Sequence, residues 1–98
     1  MSTNEFSRFD TADYLNTVDD VAAYLEAVIE EGDDDPAAIT QALGAIARSR
    51  NLSELARQVG MSREGLYKAL SANGNPSFAT VFKVARAFGL RIHFEALA

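Results

Sequence analysis

The 98-residue chain has no cysteine and a single histidine, so it offers no disulfide scaffold, no thiolate metal site and no cysteine nucleophile. With 48% hydrophobic residues it is long enough to build one modest core, and no apolar run reaches membrane-spanning length. The net charge of −5 hides an uneven division: residues 1–47 hold eleven Asp and Glu against Arg8, for −10, and residues 48–98 hold eight Arg and Lys against Glu54, Glu64 and Glu95, for +5. Such a division suits two different partners, a polyanion for the basic half and a basic protein for the acidic half.

The first residues have little apolar content apart from Phe6, and they lack the basic start and apolar stretch of a signal peptide, so a cytoplasmic protein is expected. Phe6, Phe9, Tyr14 and Leu15 are more numerous than a solvated tail needs. Ringed by acidic side chains, they are candidates for contact with a basic partner protein; docking on Leu25 or Ile29 within the fold is the alternative. Asp10 can cap a short turn holding Tyr14 and Leu15. Thr17, with Asp20 three positions on, then opens a longer helix. Its apolar residues Val18, Val21, Ala22, Leu25, Val28 and Ile29 recur at three and four, and Asp19, Asp20, Glu26, Glu30 and Glu31 occupy much of the remaining surface.

Gly32 closes that helix, and Asp33, Asp34 and Asp35 lead to Pro36, with Asp35 as cap and Pro36 at the first helical position. Calcium loops alternate their acidic ligands and end in a distal Glu, so this run reads as a cap with solvated charge, and no metal site is expected. From Ala37 to Ser49 a single apolar stripe, Ile39, Ala42, Leu43, Ile46 and Ala47, predicts another helix. Arg48 and Arg50 at its end suit the helix dipole and are also within reach of a DNA phosphate.

Residues 52–70 read as two short helices joined by a tight turn, a helix-turn-helix. Ser53 is placed to cap the first, with Leu55, Ala56 and Val59 inward, and Ser62 to cap the second, with Leu66, Ala69 and Leu70 inward. Gly60 supplies the residue tolerant of positive φ between them. In that geometry the second helix enters the major groove. Arg63 can then pair with guanine O6 and N7, Glu64 can accept from cytosine N4, and Tyr67 and Lys68 can touch phosphate; the alternative is that these are simply its wet face. Gly65 implies either close approach of backbone to DNA or a poorly optimised first turn.

Asn73, Gly74, Asn75 and Pro76 make a turn before Ser77, which can cap a last helix with Phe78, Val81, Phe82, Val84, Ala85 and Phe88 read as core. Ser77 and Thr80 can offer hydroxyls and main-chain N–H groups to a phosphate, although Ser77 is first a cap. Beyond Gly89 the alternation of Leu90, Ile92 and Phe94 with Arg91, His93 and Glu95 predicts a short strand, whose unpaired backbone invites an N-terminal segment or a second subunit. His93 falls on its polar side and reads as structural.

The order small residue, three variable residues, glycine, apolar residue, Ser is filled by Ala56, Gly60, Met61 and Ser62, with Leu66 and Ala69 four and seven positions later. That pattern resembles the Xre/Cro-like helix-turn-helix proteins. More narrowly, ARQVGMSREGLYKALSANGNPSFATVFKVARAFGLRI is similar to the antidote proteins of bacterial addiction modules, and the resemblance extends upstream through FDTADYLNTVDDVAAYLEAVIEEGDDDPAAITQALGAIARSRN, nearly the whole chain. It implies a mainly α protein: a five-helix Xre/Cro-like domain with an N-terminal helical extension and a short C-terminal strand. The division expected is an acidic extension over 1–35 and a DNA-binding domain over 36–98. The resemblance also implies an antitoxin that binds a RelE/ParE-like toxin and represses its own operon as a homodimer on operator DNA, with no cofactor and no enzymatic activity. A stand-alone regulator without a toxin is the runner-up.

Overall fold

A computed structural model of the chain describes residues 17–32 and 35–97. Among the described residues all regular structure is helical, in five segments: α1 Val18–Glu31, α2 Pro36–Arg48, α3 Leu52–Val59, α4 Arg63–Ala69 and α5 Phe78–Ala87. None is long and apolar enough to cross a membrane. The short turn expected after Asp10 lies outside the described residues.

Each helix begins where a side-chain oxygen captures a backbone N–H that the helix leaves unpaired. Thr17 Oγ1 accepts from Asp20 N at 3.0 Å, Asp35 Oδ1 from Ala37 N at 3.0 Å, Ser62 Oγ from Gly65 N at 2.9 Å and Ser77 Oγ from Thr80 N at 3.1 Å. Such a cap typically contributes about 1 kcal/mol. Helix α3 departs from expectation. Its cap is Asn51, whose Oδ1 accepts from Glu54 N at 3.0 Å, and Ser53 is left exposed inside the first turn. Starting two residues earlier places Leu52, 8% exposed, on the same buried side as Leu55, Ala56 and Val59, so burial decides between two good capping residues.

Val21, Leu43, Ile46, Leu55, Val59, Leu66, Leu70, Val84 and Phe88 belong to one buried cluster. Helix α1 packs on α2 and contributes Val21, fully buried, so the acidic and basic halves share this core. Helix α5 packs on α3, and α3 on α4. The α3–α4 turn is Gly60, Met61 and Ser62. Gly60 is left-handed at φ 76° and ψ 31°, and Met61 N closes the helix end by donating to Ala56 O at 2.9 Å.

Two expectations about the end of the chain are corrected. Phe78 and Phe82 do not join the core: they are 66% and 40% exposed. The inward stripe of α5 is Val81, Val84, Ala85 and Phe88, and Phe82 lies one residue, about 100°, round from Val81. The two rings cover each other instead, with centroids 6.3 Å apart, and the Arg86 guanidinium lies 5.7 Å from the Phe82 centroid. Nor does the segment from Leu90 form a strand. Leu90 N donates to Ala85 O at 2.9 Å and finishes α5, but no backbone hydrogen bond joins residues 91–97 to another described residue. A strand exists only with a ladder partner, and no second extended segment is present among the described residues.

Candidate nucleic-acid interface

The packing of α2, α3 and α4 leaves a groove of about 870 Å³ on the surface. Arg48 enters it from the end of α2, Arg50 and Asn51 from the connecting loop, and Leu52 and Ser53 from the first turn of α3. Arg63, Glu64, Tyr67 and Lys68 line it from α4. On α4 these four sit at i, i+1, i+4 and i+5, the outward side of a helix whose other side buries Leu66 completely. The seven residues of α4 thus present two cations, a carboxylate and a phenol in one short patch.

Four cations against one carboxylate give this groove a local charge of opposite sign to the whole chain. Arg50 is steadied by the core, its guanidinium carbon 5.5 Å from the Phe88 ring centroid. Arg57 does not take part. It pairs with Glu54 one turn back along α3, and the hydrogen bond from its guanidinium holds the Glu54 carboxyl below the usual carboxylate range. Gln58 Nε2 adds a 3.3 Å hydrogen bond to the same carboxylate.

The candidate residues therefore fall into groups. Arg63, Glu64, Tyr67 and Lys68 share the groove, and all four side chains are exposed. Ser62 is at the head of the same helix, its hydroxyl engaged as the cap. A Cβ on Gly65 would lie 2.9 Å from Ser62 Oγ, although the equivalent cap position is held by Asp20, Glu54 and Thr80 in α1, α3 and α5. Ser77 and Thr80 do not line the groove. Ser77 Oγ donates to Thr80 Oγ1 at 3.1 Å, and Thr80 Oγ1 donates to Met61 Sδ at 3.9 Å, which braces the start of α5 against the α3–α4 turn.

Ile92 is half-buried on the final segment, whereas Phe94 is 89% exposed. His93 is exposed, and no cluster of metal-ligating side chains occurs among the described residues. Phe6, Phe9, Tyr14 and Leu15 lie outside the described residues, as do Asp33 and Asp34. Sequence reasoning missed Asn51 and Ser53 as groove residues. The signal was an N-terminal helical turn directly after two arginines, which brings partly positive backbone N–H groups and cations to one place.

Arginine and lysine in a concave surface bind polyanions, Arg63 can make paired hydrogen bonds to a phosphate or a guanine edge, and Tyr67 offers a phenolic donor. The groove contains one carboxylate and no histidine.

No solved structure matches the chain. A protein of Haemophilus influenzae, itself uncharacterised, is 46% identical over 93 residues, covering 95% of this chain and 94% of its own length. Residues 5–96 match the model of a family described as probable addiction module antidote protein. The chain belongs to that addiction-module antidote family.

Proposed function

We propose that the chain is the antitoxin of a two-component module. It neutralises a small basic toxin of the RelE/ParE-like kind by direct binding, and it represses its own operon by binding operator DNA. The cationic groove is the observation that carries the DNA-binding part: α3 and α4 act as an Xre/Cro-like helix-turn-helix, with α4 in the major groove. Arg63 reads guanine and Glu64 reads cytosine. Tyr67, Lys68, Arg48 and Arg50 hold phosphates, and Ser62, Ser77 and Thr80 set the position of α4. The −10 charge of residues 1–47 supports a basic partner for the other end.

The working form is a homodimer, because an operator read by one short helix per subunit gains affinity from two half-sites. Leu90, Ile92 and Phe94 are its proposed contacts: they alternate along a segment in which, among the described residues, the backbone of 91–97 has no hydrogen-bond partner. Phe94→Asp should lower the sedimentation mass of the free protein to that of one chain. An unchanged dimer mass would remove these residues from the interface.

The neutralisation reading is tested by expressing the basic protein encoded beside this chain's gene. Growth should stop when it is expressed alone and resume when the chain is supplied, and the two should co-purify. If growth is unaffected in both cases, the chain acts as a stand-alone regulator and the toxin assignment is wrong.

A further inference from the structure

Helix α1 carries more apolar surface than its seat on α2 uses. Its inward side is Val21 with Tyr24 and Val28, and Val21 is completely buried. Next to that side runs a second apolar row, Val18, Ala22, Leu25 and Ile29, at spacings of four, three and four. This is the spacing by which a helix presents one side to a groove in another protein. Val18 is 50% and Ile29 56% exposed and Ala22 is exposed, while Leu25 is half-buried, touching the core with part of its side chain and leaving the rest on this row. The row is about 16 Å long at the helical rise. Folding alone does not require Ile29, which is absent from the core cluster that Leu25 touches: a polar residue there would leave the buried contacts of α1 untouched.

The border of this row indicates what covers it. One row further round, away from α2, come Asp19, Glu26 and Glu30, all exposed, and α1 contains no cation. A second copy of the chain laid against the row would bring two such acidic borders together, which is unfavourable. A partner whose apolar cleft is rimmed by Lys and Arg meets both features at once.

We propose that the row Val18, Ala22, Leu25 and Ile29, with its acidic border, is the surface that docks a basic protein, the toxin of this module. The proposal rests on the neutralisation reading above and gives it a place in the fold. Ile29 is the anchor, because it is a large side chain midway between buried and free. Glu26 and Glu30 steer and orient the partner at the rim. The DNA groove is built by α2, α3 and α4, so one chain can hold both partners through different surfaces.

The test uses the full chain and, as probe, the purified basic protein encoded beside its gene. Binding is measured by calorimetry for the parent, for Ile29→Ser and for the double variant Glu26→Lys with Glu30→Lys. We expect each variant to weaken binding about tenfold or more, equivalent to about 1.4 kcal/mol. The charge variant should also flatten the dependence of affinity on salt, while melting temperature, sedimentation mass and operator binding stay at parental values. Parental affinity in both variants would overturn the assignment of the surface and leave neutralisation standing. A fall in the sedimentation mass of Ile29→Ser would assign the row to a second copy, and a lower melting temperature with unchanged binding would assign it to the chain's own packing; either result overturns the proposal. Failure of the parent itself to bind the probe would overturn the neutralisation reading and the docking surface with it.

Discussion

Arg63 and Lys68 stand five residues apart on the outer side of α4, and their side chains differ in what they can report to DNA. Guanidinium geometry matches a guanine edge, whereas an ammonium is a point charge suited to phosphate. Arg63→Ala should therefore weaken operator binding by about 1–3 kcal/mol and relax preference at one base position. Lys68→Ala should weaken all duplexes more evenly and lower the salt slope by about 1. Glu54 tests a surface pair. Because Arg57 depresses its carboxyl pKa in the fold, the pair stabilises above the ordinary carboxylate range, and that stabilisation is lost as pH falls through the depressed value. Melting temperature in Glu54→Gln should then fall less steeply toward acid than in the parent. At this scale the sequence was readable for the α4 side chains, because helical period alone separates Leu66 from its wet neighbours. It was not readable for Asn51 and Ser53, whose place in the groove follows from how α3 packs beside α4, a fact of three dimensions.

The helices themselves were legible because cap and period agree. Thr17, Asp35, Ser62 and Ser77 each stand directly before an apolar stripe, and each caps the helix it precedes. Where two capping residues compete, as Asn51 and Ser53 do, local chemistry does not choose, and burial of Leu52 does. Phe78 and Phe82 misled for a related reason: aromatic residues spaced by four look like a core stripe, although the true stripe of α5 runs through Val81, Val84 and Phe88. The expected strand depended on a partner that periodicity cannot supply. The α3–α4 turn yields a sharp prediction. A Cβ on Gly60 meets no atom within 4 Å, so Gly60→Ala isolates the cost of left-handed backbone, about 1–2 kcal/mol. In a chain of this length that corresponds to a fall in melting temperature of about 4–8 °C per kcal/mol. Leu66→Ala, at a fully buried position, should cost about 2–5 kcal/mol by leaving a cavity under α4.

At the scale of the whole molecule, a chain of net charge −5 places four cations in one groove and, on α1, only acidic charges. Composition announced that separation, and the fold gives it geometry: α1 is tied into the common core through Val21, and the groove is formed by the next three helices. The place of Arg48 and Arg50 was not legible, since nothing in sequence order says that they share a surface with Arg63 and Lys68. That shared surface makes DNA binding the central claim, and its most direct test is fluorescence anisotropy with a duplex from immediately upstream of the chain's gene and a scrambled duplex of the same composition. The parent should bind the upstream duplex more tightly. Arg48→Ala and Lys68→Ala should each reduce the slope of log affinity against log salt by about 0.9, one phosphate contact apiece. Equal affinity of the parent for both duplexes, or parental slopes in both variants, would contradict the assignment of this groove to operator DNA.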